Sequence, residues 1–586
     1  MKVKKEKKKI ITENLIEKDS MKLFTMLSGY FLLVLLLFSL LQFVKLQNLC
    51  VIQILSITIP LVVYLLVNKE INLKRKIATI VFYLIILIII PFTYNKTYDL
   101  TVDGNSYHKT AIAFIKNGWN PMYESMRSFQ KNNNQVIEID KNQRVDLWVE
   151  HYPKATWILA ATIYNMTDNI ESGKCITLIF SIMLLIISYN CLSKILDKKW
   201  SNIISIILVL NPIVLAQFFS YYVDGIMGIL FTIELLLLIQ VNPKEKINKS
   251  VWLSLVAICS IFVNLKFTGL LCSGVIAAVY YFYFLIANRK DKELFNIFKR
   301  LTIAFIIVFA PAIFIVGGNS YIKNTIDHHN PLYPLVGKDK VDIITTMQPK
   351  SFLKKNNFEK FIVSTFSKTE NVTYENEPTT KLPIKVYQSE IGELFAPDVR
   401  IGGFGPLYAL ILIGTIILLI IETIIIIKKE RQNIKYLLLP FLSIIISMIL
   451  VGESWWARYV PQFYLLPVGT IILLIYLRKY YNNIVSKIIT YGFICLIILN
   501  VGCFLYIDYK EVQSFKEISN DIKEMKNMKN LELKLGTNDL YGYLYTLNDN
   551  KVNYKLIEEI SDEDRRFMYS WRVEVKIKNE KLSETN

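Results

Sequence analysis

Seven short polar stretches carry most of the residues in this chain that could do chemistry. TYDLTVDGNSYHKTA (residues 97–111) sets Asp99, Asp103, Tyr107 and His108 close together, directly after an apolar run. WVEHYPKATW (148–157) holds His151, YYVDG (221–225) holds Asp224, and NLKFTG (264–269) holds Lys266. NSYIKNTIDHHNPLYPL (319–335) supplies His328 and His329. APDVRIGGFGPLY (396–408) supplies Arg400, and GESWWARYVPQ (452–462) supplies Glu453 and Arg458. A carboxylate at a membrane–water boundary, such as Asp103, can accept a proton from an incoming hydroxyl. The same residues have ordinary work as well. Asp103 or Asn105 can cap the helix that follows, and Tyr, Trp, Lys and Arg anchor spans at an interface. That helix is expected to be amphipathic and to lie along the surface through Ala111, Ile112, Phe114 and Ile115, ending at Asn117-Gly118.

The elements that must position these residues are apolar blocks. Of 586 residues, 53% are hydrophobic, and they are gathered in runs long enough to cross a bilayer. Thirteen blocks are expected to span: 23–45, 49–67, 77–94, 174–192, 201–217, 225–241, 250–264, 269–287, 301–317, 405–427, 436–452, 461–477 and 488–507. The N-terminal stretch 1–22 carries eight lysines, and alternate short loops (68–76, 193–200, 242–249, 288–300, 428–435, 478–487) are basic. The positive-inside rule then puts the N-terminus in the cytoplasm and three long polar segments, 95–173, 318–404 and 508–586, outside. The seven polar stretches all fall on that outer side. Ionisable groups at membrane depth are costly and usually face a cavity or a partner.

The net charge of +18 is explained by loops facing anionic lipid head groups, so no nucleic-acid partner is implied. The block after the basic N-terminus is too long, and lacks the small-residue site, for a cleavable signal. Seven cysteines sit in or beside apolar blocks and form no disulfide or metal-site pattern. Abundant Lys, Ile and Asn suggest an AT-rich bacterial genome and hence a bacterial plasma membrane. Three domains follow: a cytoplasmic basic N-terminus (1–22), a transmembrane domain (23–507) with external loops 95–173 and 318–404, and an external C-terminal domain (508–586). The last mixes a charged helix (FKEISNDIKEMKNMKN) with strand-like pieces (LELKLG, VNYKLIEE, WRVEVKIKN) and reads as a small α/β appendage for stability or docking.

A span followed by an acidic motif of the type Asp-(Glu/Gly)-x-x-Tyr, here Asp103-Gly104-Asn105-Ser106-Tyr107-His108, resembles the first external loop of the GT-C superfamily. These are polytopic glycosyltransferases that use polyprenyl-phosphate-linked sugars, among them protein O-mannosyltransferases and aminoarabinose transferases. Asp224 fits the family's second acid. Gly104 stands where Glu is common, and two spans precede the one that leads into the motif, where the family usually has one. The resemblance implies an all-α polytopic membrane protein with a GT-C-like core. Asp103 would be the general base, with Asp99 as the alternative, and Asp224 would orient the acceptor or bind a cation. Lys266, Arg400 and Arg458 would hold the donor phosphate. Tyr107, His108, His151, His328, His329 and Glu453 would line the substrate site. No cofactor is required by this pattern, and a divalent metal (Mg or Mn) is left open. The implied partners are a polyprenyl-phosphate-linked sugar, an extracytoplasmic acceptor and the bilayer. Two alternatives remain: an envelope polysaccharide polymerase or ligase working through Arg and His, and a lipid-linked sugar flippase. The flippase is disfavoured because few charges lie in mid-span, Glu234 and Glu422 being the main ones, and no internal repeat is visible.

Overall fold

The computed structural model describes residues 2–576 except 141–142, 246–247, 430–434, 482, 537–539, 562–564 and 571. The side chains of 2–18 and 435–436 lie outside the described residues, and with them most of the basic N-terminal stretch. Eight helices among the described residues are long and apolar enough to cross a membrane, and the chain is a helical, multi-pass membrane protein.

Helix α1 (Lys2–Phe43) is apolar from Asp19 and packs against α2 (Leu49–Val67). Phe24, Leu27, Phe31, Val34, Leu35 and Phe38 are fully buried along it at helical spacing, which makes one broad stripe face the bundle interior. Next, α3 (Leu73–Lys96) absorbs Pro91 by widening into a π turn at Ile85–Ile89. A second π turn, Gly104–His108, leads into α4 (Lys109–Lys116). Helix α5 (Ala155–Thr167) then turns back into the span α6 (Ile170–Leu192).

After these come α7 (Lys198–Val209), α8 (Asp224–Ile239), α9 (Lys249–Val263), α10 (Phe267–Ala287) and α11 (Leu294–Asn319). The large connection from 320 to 407 precedes α12 (Tyr408–Lys429), α13 (Lys435–Val451), α14 (Pro461–Leu477) and α15 (Ile484–Asn527).

Each of the thirteen expected blocks is helical, but the expected count of thirteen spans is not met. The blocks at 201–217, 225–241, 250–264, 436–452 and 461–477 form helices of only 12 to 17 residues. At 16 residues, α8 is about 24 Å long, short of a hydrocarbon core of about 30 Å. The cause is polar punctuation. Asn211-Pro212 stops the first block and caps a new turn, Asp224 opens α8, Asn264 closes α9, and Gly452 at φ +81° ends α13.

A small α/β unit follows α15, which runs on into it without a break. Strands β1 (Leu531–Leu535), β2 (Tyr554–Leu556), β3 (Arg565–Met568) and β4 (Val573–Lys576) form one sheet in the order β2-β1-β4-β3. Strand β2 is parallel to β1, and β4 is antiparallel to both β1 and β3. Helix α16 (Gly542–Asp549) turns from this unit onto the Gly104–His108 turn, α4 and the start of α6. That contact corrects the expected surface helix. Residues Lys109 to Ile115 are all buried, because α5 covers one side of α4 and α16 the other.

Candidate functional site

Arg458 is the centre of the constellation. It sits in a 3-10 turn (Ala457–Tyr459) between α13 and α14, 9% exposed. Its Nη2 donates to Asp103 Oδ2 at 3.2 Å and its Nη1 to Asp398 Oδ2 at 3.1 Å. Its Nε lies 3.1 Å from Asp224 Oδ2. Lys266 Nζ donates to the other oxygen of Asp224 at 2.9 Å. The guanidinium stacks over Tyr222, Trp456 and Tyr459, with centroid distances of 4.7, 5.2 and 5.5 Å, and Lys266 stands 4.6 Å over Tyr459. Such aromatic faces stabilise cations that have lost water.

These side chains arrive from five separate segments, and the short helices explain how they meet. Asp224 is the first residue of α8, Lys266 follows the end of α9, and Arg458 precedes α14. Because those helices stop early, the turns that carry the charges pack against one another instead of ending in loose loops. Gln217 secures the Asp224 turn, accepting from Gly225 N at 2.8 Å and donating to Asp224 Oδ2 at 3.3 Å.

Asp103, Tyr107, His108, Tyr152, Trp157, Tyr222, Asp224, Lys266 and Arg458 line one narrow cleft, with room for about a single water. Two larger cavities, of about 290 and 620 Å³, lie along α8 near Gln240–Glu245 and are lined mostly by apolar side chains. In the cleft, the Trp157 indole donates to His108 Nδ1 at 2.6 Å, which leaves the proton of the neutral ring on Nε2. Burial pushes His108 down to about 4, against the pull of Asp103 and Asp224. Burial alone would raise Asp224, but Lys266 and Arg458 overcome it and hold the carboxyl below its ordinary value. Asp398 goes the other way: burial raises it in spite of Arg458.

Six of the twelve residues singled out in the sequence therefore come together: Asp103, Tyr107, His108, Asp224, Lys266 and Arg458. Six stand elsewhere. Asp99 is fully buried behind the cleft. Arg400 donates to Val372 O and Met347 Sδ and reaches only the Trp456 ring, at 5.8 Å, on which Arg458 also stacks. Glu453 accepts from the Trp455 indole. His151, bonded to Asn324, meets His328 edge-on at 4.8 Å, and His328 stacks on Tyr333 in a separate group. His329 ends its helix at φ +52°, exposed.

Neither Asp103 nor Asn105 caps the following helix. Asp103 makes no capping bond, and Asn105 donates to the carbonyls of Asp99 and Thr101. Asp398, Tyr222 and Tyr459 escaped sequence reading. Asp398 is two residues before Arg400, and a search for cations passes over it. Three carboxylates converge here, but a guanidinium stands between them. Among the described residues no group of three His, Cys, Asp or Glu is placed to hold a metal ion. No family model matches the chain, and no curated protein matches it in sequence.

Proposed function

We propose that this protein is a GT-C-type membrane glycosyltransferase, moving a sugar from a polyprenyl-phosphate donor to a hydroxyl of an extracytoplasmic acceptor. The observation that supports it is the convergence of Asp103, Asp224, Lys266 and Arg458 in one cleft at the end of an apolar helix bundle. In this reading Asp103 is the base. Its side chain is 25% exposed, whereas that of Asp224 is 1% exposed and held by two cations. Asp103 takes the acceptor's proton as the oxygen bonds to the anomeric carbon, and the bond from that carbon to the phosphate oxygen breaks. The electron pair leaves with the lipid phosphate, whose charge Lys266 and Arg458 stabilise. Arg suits phosphate through its two-pronged geometry.

Three carboxylates against two cations leave the cluster with one excess negative charge if all are ionised. An anionic donor therefore needs one carboxylate to leave Arg458 or to take a proton. With Asp103 assigned as the base and Asp224 held by both Lys266 and Arg458, Asp398, which burial raises, is the acid left for that part. The N-terminus is assigned to the cytoplasm, and the cleft and C-terminal unit to the outer face of a bacterial plasma membrane, on the strength of the alternating basic loops. The test supplies membranes holding the protein with radiolabelled polyprenyl-phospho-sugars. Label leaves the lipid if the reading is right, and stays on it for every donor if it is wrong.

A further inference from the structure

Behind the cleft lies a second buried charge cluster that the transfer chemistry does not use. Glu171 Oε1 accepts from Lys109 Nζ at 2.6 Å and from Thr546 Oγ1 at 2.6 Å. Its Oε2 accepts from Lys174 Nζ at 2.5 Å and from the backbone N of Asp99 at 3.1 Å. Lys109 Nζ also donates to Asn105 Oδ1 at 2.9 Å and to Thr546 Oγ1 at 3.2 Å, so its three protons are all placed. Asp99, Lys109, Glu171 and Lys174 are 0 to 2% exposed. Two acids balance two lysines, and a buried set of this kind is stable only when every member is satisfied.

The cluster touches the cleft from behind at two points. Asp99 Oδ1 accepts from the N and Oγ1 of Thr101, which shapes the turn that carries Asp103. Asp99 Oδ2 accepts from Tyr221 N at 2.8 Å, three residues before Asp224. One carboxylate thus ties the two acids of the cleft to each other. On the far side the partner is the C-terminal unit. Thr546 of α16 closes the cluster, Tyr543 donates to Leu100 O at 3.2 Å, and Asp549 accepts from Tyr164 and from Ile170 N. The contact leaves no slack: a Cβ on Gly542 would lie 2.4 Å from Asn105 Cα.

We infer that the C-terminal unit is a positioning element of the cleft, with Thr546 acting through Lys109, Glu171 and Asp99 to fix Asp103 against Asp224. It is more than a docking appendage, because the cluster lacks one hydrogen-bonding member without it. The inference deepens the transferase reading, and its structural part can be read without any activity.

The experiment is hydrogen–deuterium exchange on the full chain in lipid nanodiscs, comparing wild type with Thr546→Val and Thr546→Ser. Losing the hydroxyl is expected to speed exchange about tenfold in peptides covering 99–110 and 217–226, with α2 unchanged and Ser restoring protection. Acceleration confined to 531–576, or none, overturns the inference. If Thr546→Val does not fold, Asp549→Asn loosens the same helix and is judged by the same peptides. With a donor in hand, Thr546→Val should lower kcat about tenfold and leave KM within a factor of two. If wild type consumes no donor, the transferase reading falls while the exchange result still decides the positioning role.

Discussion

Arg458 holds three carboxylates at once, and the behaviour of each follows from what else it touches. Asp224 is closed off, whereas Asp103 and Asp398 each keep an open side, 25% and 24% exposed, and Asp103 is the one that also lines the cleft. Asp103→Asn should lower transfer by roughly 10²–10⁴-fold at unchanged expression, as a radiolabel transfer assay would read. Asp398 occupies Nη1 of Arg458, so in the proposed transfer it would compete there with the donor phosphate. Asp398→Asn should therefore tighten donor binding, visible as a lower KM, whereas a higher KM would give Asp398 a direct part in holding substrate. His108 makes the cleft sensitive to acid. Its ring is held near 4 in the folded protein, so between an ordinary value of about 6.5 and about 4 the unfolded chain binds a proton that the folded chain refuses. Stability is complete above that window and falls as pH drops through it, by about 3 kcal/mol at most. Thermal unfolding at pH 5 and pH 7.5 would show this, and His108→Asn should reduce the difference, with the remainder coming from His151, which burial also lowers to about 4. These residues were legible because acids, His and Arg stand out at the edges of apolar blocks. Asp398 was not, since nothing local distinguishes an acid beside a loop arginine.

At the scale of elements, the useful feature is that helices end early. Asn211-Pro212, Asp224, Asn264 and Gly452 cut the apolar blocks, and Asp224, Lys266 and Arg458 lie at or just beyond the resulting ends of α8, α9 and α14. Apolar run length located each of the eight long apolar helices but overstated how many could span, because composition does not show where a turn begins. The burial of α4 was illegible for another reason. The helix that covers it, α16, lies more than 400 residues away along the chain, as the Lys109–Thr546 pair shows. Strand β3 was missed too: Arg565-Arg566-Phe567-Met568 lacks the alternation by which the other pieces were recognised. Gly104 offers a test of how tightly these elements meet. A Cβ there would lie 2.1 Å from Asp99 Oδ2, so Gly104→Ala should cost about 1–3 kcal/mol. A lowered melting temperature would record it, and an unchanged one would mean the turn is looser than described.

Across the whole molecule, residues as distant as Asp103 and Arg458, 355 positions apart, are brought to one end of a bundle with eight helices fit to cross a membrane. Two buried charge clusters sit back to back there. The cleft cluster has an open edge, whereas the cluster behind it is balanced and closed. In the proposed reading the open edge is where a ligand enters and the closed cluster is its support. Arg458→Ala should leave three buried or half-buried carboxylates facing one another, at a cost of about 3–5 kcal/mol in thermal stability, so it is a poor probe of chemistry. The direct probe is the transfer of radiolabel from a polyprenyl-phospho-sugar in membranes containing either the wild-type protein or Asp103→Asn. Label should leave the lipid with wild type and remain on it with the variant. Equal release by the two, at equal protein levels, would contradict the assignment of Asp103 as the base, and no release with either would contradict the transferase reading itself.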